Sequence, residues 1–210
     1  TLEKLKSPSP KALFEARGHL WQLLAARTVT KLGTAPTQQV IEAPDLSALP
    51  IIKCWPEDAG KFITLPLVIT KDPVSGERNV GIYRMQVFDI DRTGMHWQIQ
   101  RGGGFHYHEA EKAAKSLDVA VVLGGDPALL LSAALPLPEG VDELAFSGIL
   151  RRKPLQMKPS KTIPNFAIPA NAEFVFEGFV PPFERAQEGP FGDHLGHYSD
   201  AAQFPVFNIT

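Results

Sequence analysis

The sequence predicts an α+β protein whose strands form a small barrel or split barrel. Two observations lead to this fold class. First, the predicted elements after an early helix run in the order β-β-β-α-β-α-β-β-β. Second, the turn DPVSG at 72–76 joins the first two strands into an antiparallel hairpin. Antiparallel strands combined with separate helices are typical of α+β folds and small barrels.

The early helix is predicted over residues 11–29, KALFEARGHLWQLLAARTV, whose apolar residues recur at helical spacing after Ser9 and Pro10. Residues 34–60 contain several prolines, which favours an irregular connecting segment there. The hairpin follows, with KFITLPLVIT as its first strand and NVGIYRMQVFDI as its second. MHWQIQ at 95–100 is predicted to be a further strand, which the glycines at 102–104 break.

The remaining elements alternate between helix and strand and then become strands only. FHYHEAEKAAKSLD is rich in helix formers, and DVAVVLGG is typical of a buried strand. Asp126 and Pro127 are a helix cap and first residue, so PALLLSAALP is predicted to be helical, as is VDELAFSGIL. The last strands are predicted in LQMKPSKT, FAIPANAEFVFEGFV and FPVFNIT.

The composition excludes several classes of protein. The 210 residues are 44% hydrophobic and 21% charged, which is ordinary for a soluble globular protein. A net charge of −2 argues against a nucleic-acid binder. Cys54 is the single cysteine, so an internal disulfide is impossible, and a reducing cytoplasm suits the chain. Neither a membrane span nor a signal peptide is predicted, and both ends look truncated.

The stretch NVGIYR places a cation on a predicted barrel strand. By strand alternation, Asn79, Gly81 and Tyr83 share one face, and Arg84 lies on the opposite, otherwise apolar face. A guanidinium in such a place needs an anion, which is either a protein carboxylate or a ligand carboxylate or phosphate. A structural salt bridge and a ligand site are both open at this point.

The stretch RGGGFHYHEAEK favours either a phosphate site or a flexible turn. Glycines that lead into a helix can expose backbone N–H groups to a phosphate. His106 and His108 are two residues apart, so in a helix they face apart and both cannot easily bind one metal. Glu143 follows Asp142 at a helix start, where acids also favour the helix dipole. Amide and carboxylate oxygens suit Mn²⁺ or Mg²⁺, but the sequence alone does not bring Asn79, His106 and Glu143 together.

The stretch EGPFGDH at 188–194 holds two acids on a segment built to bend. Two nearby carboxyl groups push their pKa values apart, so that one can stay protonated and donate a proton. Glu188 and Asp193 therefore form a candidate acid pair. A solvated surface loop is the alternative, because acids in loops are common.

Together these segments resemble the UbiD family of reversible decarboxylases, which use prenylated flavin mononucleotide (FMN). The resemblance is carried from about residue 50 onward by ordered motifs: NVGIYRMQV, TGMHWQIQRGGGFHYHEAE, VAVVLGGDPALLLSAALPLPEGVDELAFSG, PANAEFVFEGFV and EGPFGDHLGHYS. It implies a central flavin-binding split β-barrel with flanking helices over 51–210. Residues 1–50 would be the remnant of an N-terminal α/β region and a linker. Family members are longer, with a C-terminal domain that helps to close the active site.

The resemblance also implies site residues. Arg84, Glu188 and Asp193 are similar to the family's catalytic network, with Arg84 orienting the substrate carboxylate, Asp193 donating the proton and Glu188 coupled to both. Asn79, His106 and Glu143 resemble its Mn²⁺ ligands, with His106 ranked before His108. The backbone near Ser132, Ala133 and Leu135 resembles its K⁺ site. The implied cofactor contacts are Ile82, Tyr83, Arg84, His96, Trp97, Gln98, Arg101 and Gly102.

By this resemblance the expected activity is non-oxidative decarboxylation of an aromatic or α,β-unsaturated carboxylic acid, a quinone precursor of the 4-hydroxybenzoate type first of all. A flavin prenyltransferase would supply the cofactor, and the full-length protein would be a homo-oligomer. Two alternatives remain open: a flavin- or phosphate-binding fragment without catalysis, and a metal-dependent hydrolase. The hydrolase lacks support from any HExxH-type spacing.

Overall fold

A computed structural model describes residues 20–98, 102–138 and 140–210. Its helices are α1 (Leu20–Ala25), α2 (Gly102–Lys112), α3 (Pro127–Ala134) and α4 (Glu143–Arg151), with 3₁₀ turns at Pro36–Gln38 and Leu46–Ala48. Its strands are β1 (Thr28–Thr30), β2 (Phe62–Ile63), β3 (Leu67–Lys71), β4 (Arg78–Ile82), β5 (Met85–Gln86), β6 (Arg92–Gly94), β7 (Leu117–Leu123), β8 (Leu155–Pro159), β9 (Ala167–Pro169), β10 (Phe174–Val180), β11 (Arg185–Glu188), β12 (Phe191–Gly192), β13 (Tyr198–Ser199) and β14 (Ala202–Ile209).

A curled antiparallel sheet forms the centre of the molecule. Its strands follow the order β11-β14-β10-β7-β3-β4, and β6 also pairs with β14. Three smaller groups accompany it: β1-β8-β9, the pair β2-β5 and the hairpin β12-β13. The prediction of an α+β fold with a half-closed barrel and flanking helices is confirmed.

Both faces of the central sheet are buried, because β7 contributes side chains to two cores. Val119 and Val121 belong to the core that includes Tyr107 of α2. Ala120 and Val122, on the opposite face, belong to the core that includes Leu129 of α3. The near-continuous apolar run of β7 is therefore that of a strand covered on both sides.

The predicted hairpin is confirmed, with β3 and β4 paired antiparallel from Leu67↔Ile82 to Lys71↔Arg78. The helices at 127–134 and 143–151 are confirmed too, and Asp126 caps the first by accepting the Ala128 N–H. The first predicted strand is divided, since β2 ends at Ile63 and β3 begins after Pro66, which has no N–H for a ladder.

Two predictions around the triple glycine were wrong. Residues 95–98 are not a strand, since β6 ends at Gly94. The glycines do not break a strand either, because they form the first turn of α2. Their lack of a side chain allows close contact: a Cβ at Gly103 would lie 2.7 Å from Trp97 Nε1.

The early helix is seen only as α1, because residues 1–19 lie outside the described residues, and Thr28–Thr30 form β1 instead of helix. The division into 1–50 and 51–210 stays a prediction. Among the described residues, none of the helices has the length and apolar character needed to cross a membrane.

Candidate active site

Arg84 and Glu188 meet inside the half-barrel. Arg84 follows the end of β4, and Glu188 is the last residue of β11. The Arg84 Nε donates to Glu188 Oε1 at 3.2 Å, and the Glu188 side chain is fully buried. The sequence predicted a carboxylate or a ligand beside this guanidinium, and the structure provides a carboxylate from 104 positions along the chain.

His96 is a second partner of the same carboxylate. Its Nδ1 lies 2.7 Å from Glu188 Oε1, and its ring packs against Phe204 with centroids 4.1 Å apart. Glu188 Oε2 is buried and has no hydrogen-bond partner in the described part of the chain. A buried carboxylate oxygen without a donor is costly to maintain, and such groups concentrate where a ligand or a proton is handled.

The β12–β13 hairpin contacts the Arg84 guanidinium from two more directions. Arg84 Nη2 donates to Ser199 Oγ at 3.1 Å, and the guanidinium carbon lies 4.6 Å from the centroid of the Phe191 ring. Arg84 has five N–H donors in a planar fork, and Nη1 makes no hydrogen bond to any described residue. One edge of the guanidinium is thus available for an anionic ligand.

Asp193 does not join this cluster in the structure. Its Oδ1 accepts backbone N–H groups from Leu195 at 2.8 Å and His197 at 3.0 Å. The bond from the His197 N–H is the largest effect on the pKa of Asp193; desolvation opposes it, but with the bond from Leu195 the net result is a lowered pKa. In this arrangement the carboxyl group is ionised at neutral pH, and among the described residues no hydrogen bond joins it to Arg84 or Glu188.

A cavity of about 1000 Å³ brings Asn79, His106 and Glu143 together. They come from β4, α2 and the first residue of α4. Their donors are an amide oxygen, an imidazole nitrogen and a carboxylate, which suit Mn²⁺ or Mg²⁺. His106 is buried on the inner side of α2, whereas His108 is exposed, as their two-residue separation predicts. Within the described ranges, no cluster of three His, Cys, Asp or Glu side chains is placed to hold a metal, so a metal in this cavity would need a ligand of another type, such as the Asn79 amide.

Burial shifts the pKa values of His106 and Glu143, the two ionisable residues among these three. It lowers the pKa of His106, so the imidazole is neutral at physiological pH, and it raises the pKa of the Glu143 carboxyl. Thr70 Oγ1 lies 2.9 Å from His106 Nδ1, and Nε2 has no hydrogen bond to a described residue, so Nε2 is the ring nitrogen that can bind a ligand. The Val80 N–H donates to Glu143 Oε2 at 3.2 Å and orients that carboxyl.

Asn79 is positioned by its neighbours on the strand and by α2. Its Nδ2 donates to the Tyr83 hydroxyl at 3.3 Å, which also accepts the Gly103 N–H at 3.2 Å. The Tyr83 ring lies over Gly81, where a Cβ would be 2.5 Å from the ring. A Cβ at Gly102 would lie 2.0 Å from Asn79 Oδ1, so only glycine leaves room for this amide.

The other predicted cofactor contacts are dispersed around these two groups. Tyr83 and Trp97 are buried in one core, and the indole Nε1 of Trp97 has no partner among described residues. Ile82 is half-buried and Gln98 is exposed, while Arg101 lies outside the described residues. In the predicted K⁺ region, the Ser132 hydroxyl donates to the Ala128 carbonyl within α3.

Several contacts at the site were missed by sequence reasoning. Arg84 bonds Ser199, and His96 bonds Glu188. Both contacts join residues that are far apart in the chain, so no local pattern predicts them. Arg78 forms an ion pair with Asp142, whose other oxygen caps α4 through Leu144 and Ala145. Because Glu143 is the next residue, this pair holds the first turn that carries it.

The fold and site together define an α+β half-barrel domain with an arginine–carboxylate pair and an oxygen- and nitrogen-lined cavity. A family model described as "3-octaprenyl-4-hydroxybenzoate carboxy-lyase Rift-related domain" matches residues 28–210. The chain therefore belongs to the UbiD family.

Relatives agree with this assignment and are longer. An uncharacterised protein of Archaeoglobus fulgidus is 50% identical over 181 residues, which are 86% of this chain and 37% of that protein. One of Aquifex aeolicus is 43% identical over 211 residues, covering 98% of this chain and 43% of that protein. The chain thus spans less than half the length of these relatives.

Solved structures show the same fold. The UbiD-class enzyme HmfF from Pelotomaculum thermopropionicum, in complex with prenylated FMN, is 37% identical with a TM-score of 0.81, covering 92% of this chain and 47% of that one. Vanillic acid decarboxylase from Sedimentibacter hydroxybenzoicus, in closed form, is 29% identical with a TM-score of 0.83, covering 97% and 45%.

Proposed function

We propose that the protein of which this chain is part catalyses reversible, non-oxidative decarboxylation of an aromatic or α,β-unsaturated carboxylic acid with prenylated FMN. The observation that carries the proposal is the pair of half-buried Arg84 with fully buried Glu188, which leaves one guanidinium edge without a bond to any described residue. A substrate carboxylate is the chemical complement of such an edge. Structurally similar proteins act on vanillic acid and 3,4-dihydroxybenzoic acid.

The residues present fit a flavin with a phosphate. Asn79, His106 and Glu143 line one cavity with the N-terminal residue of α2, where Gly102 allows close approach to the backbone. These three side chains would hold Mn²⁺ against the cofactor phosphate. Asn79 lies on β4 and Arg84 lies two residues beyond its end, so the two groups are carried by the same part of the chain.

Prenylated FMN, when bound, supplies the electron sink that no protein side chain offers. Arg84 binds and orients the substrate carboxylate, and Glu188 holds the guanidinium through Nε. Because Arg84 shares its charge with Glu188, its ion pair with the substrate carboxylate is weaker than that of an unpaired guanidinium, which favours release of CO₂. Asp193 delivers the proton that replaces CO₂: once its turn releases the two backbone N–H groups that now stabilise its anion, the carboxylate takes up a proton from solvent and passes it on.

A substrate of the 4-hydroxybenzoate quinone-precursor type remains our first choice, with K⁺ held near Ser132, Ala133 and Leu135. We further propose a cytoplasmic, homo-oligomeric full-length protein whose cofactor comes from a flavin prenyltransferase. The competing function is flavin or phosphate binding without catalysis.

The test is expression of the full-length protein with a flavin prenyltransferase, followed by mass spectrometry of the bound flavin and assay of CO₂ release. The panel contains 4-hydroxybenzoate, 3,4-dihydroxybenzoate, vanillate and an α,β-unsaturated acid. We expect bound prenylated FMN and turnover of at least one acid, lost in Arg84→Lys. Bound flavin without turnover or ¹³CO₂ exchange on any acid would favour the binding function, and protein free of flavin would contradict both.

A further inference from the structure

A short segment with no role in the catalytic scheme above is hydrogen-bonded to the loop that carries Glu188 and Asp193. We call residues 55–59, WPEDA, the clamp segment and residues 188–193, EGPFGD, the acid loop. They are more than 120 positions apart in the chain. The two segments meet at Gly192, Pro190 and their neighbours, through contacts that are independent of any ligand.

Asp58 lies at the centre of this contact. Only 3% of the residue is exposed, and its two carboxylate oxygens accept two backbone N–H groups. Oδ2 accepts from Trp55 at 2.8 Å within the clamp segment, and Oδ1 accepts from Gly192 at 2.7 Å in the acid loop. A buried carboxylate whose donors come from two distant segments connects them strongly, because charge-assisted hydrogen bonds are stronger than neutral ones.

Three further contacts surround this bond. The Ala59 N–H donates to the Pro190 carbonyl at 2.9 Å. The Trp55 ring covers Gly192 so closely that a Cβ there would lie 2.6 Å from its Cδ1. At the other end of the loop, the Gly189 N–H donates to Gln86 Oε1 at 2.8 Å.

We propose that Asp58 is a positioning residue, which holds the acid loop so that Glu188 and Phe191 enclose Arg84. The proposal rests on the proposed function only for its catalytic consequence. Glu188 opens the loop and bonds Arg84 at 3.2 Å, and Phe191 stacks on the same guanidinium at 4.6 Å. Gly192, the residue bonded to Asp58, directly follows Phe191. A displacement of about 1 Å in such a group is enough to lower a rate roughly 100-fold.

The test substitution is Asp58→Asn, which keeps the shape but exchanges one acceptor oxygen for an NH₂ group that faces a backbone donor. The matched control is Asp45→Asn, an exposed acid that caps the Leu46–Ala48 turn through Ser47. Hydrogen–deuterium exchange of the full-length protein is compared for residues 188–199 and for β7, without any need for catalysis.

We expect faster exchange in 188–199 with unchanged exchange in β7 for Asp58→Asn, and neither change for Asp45→Asn. In the flavin-loaded protein, kcat should fall roughly 10- to 100-fold at unchanged flavin content and nearly unchanged KM. Unchanged exchange in the loop, or an equal rise in β7, would overturn the proposal. If the loop exchanges faster but no acid is ever turned over, the clamp stands and the proposed function fails.

Discussion

Glu188 Oε1 accepts a hydrogen bond from Arg84 Nε at 3.2 Å, while Oε2 of the same buried carboxylate has no hydrogen-bond partner among the described residues. The carboxylate is therefore paired with a cation through one oxygen, whereas its other oxygen has no donor. Such an arrangement is poorly suited to stability alone, because an unsatisfied buried oxygen costs about 1–3 kcal/mol. It suits a site that is completed by a ligand or a proton.

Glu188→Gln should lower kcat by at least about 100-fold, because the neutral amide no longer balances the Arg84 guanidinium. CO₂ release by the flavin-loaded protein measures the effect. Glu184→Gln is the matched control, since it removes the same charge from a half-exposed pair with Arg92, where an ion pair contributes little. Equal effects of the two substitutions would contradict a special role for Glu188.

His96→Phe should lower kcat about 10-fold or more while flavin content is retained. Phenylalanine keeps the ring contact with Phe204 but removes the bond to Glu188 Oε1. His96→Asn places an amide nitrogen near the position of Nδ1 and should restore part of the rate. Full activity of His96→Phe would show that the ring contact, and not the hydrogen bond to Glu188, is what matters.

Asp193→Asn should abolish turnover, with a loss of at least about 100-fold, while the loop keeps its shape. The asparagine oxygen can still accept the Leu195 and His197 N–H groups, but the side chain can no longer supply a proton. Turnover and flavin absorbance are measured together, with exposed Asp200→Asn as the control. Full activity of Asp193→Asn would remove the proton-donor assignment.

Gly102→Ala should reduce bound manganese and flavin, because its Cβ would lie 2.0 Å from Asn79 Oδ1. Within a helix, alanine is favoured over glycine by about 1 kcal/mol, so helix propensity alone would stabilise α2. A loss of metal would therefore come from the contact with Asn79 and not from a weaker helix. Elemental analysis of the purified protein reports the metal. Gly60→Ala, whose nearest contact would be an ordinary 3.6 Å, should leave the metal content unchanged.

The free energy of unfolding should fall as the pH rises above 10, through Tyr107. Burial raises the pKa of its hydroxyl from 10.0 to about 12. The unfolded chain therefore loses this proton first, so the contribution of Tyr107 is complete below pH 10 and is lost towards pH 12. Urea unfolding at pH 9 and pH 11 should show an additional loss of about 1.3 kcal/mol, absent in Tyr107→Phe.

Local features of the chain were predictable because short-range physics determines them. Asp126 before Pro127 caps a helix in the sequence and in the structure, since a side-chain oxygen two residues away satisfies the free Ala128 N–H. The β3–β4 hairpin likewise follows from alternating side chains and the turn between them. The opposite environments of His106 and His108 needed only the helical period.

The sequence by itself determined the fold class, the hairpin, the capped helices and, through ordered motifs, the UbiD family. Only the tertiary structure decided which anion meets Arg84, that His96 shares that carboxylate, and that Asp58 binds the loop at Gly192. The triple glycine shows the same division. Local propensity disfavours a helix there, but these residues begin α2 and pack so closely against Asn79 and Trp97 that a side chain would clash. Contacts between residues a hundred positions apart depend on how the sheet curls, and no local pattern records that.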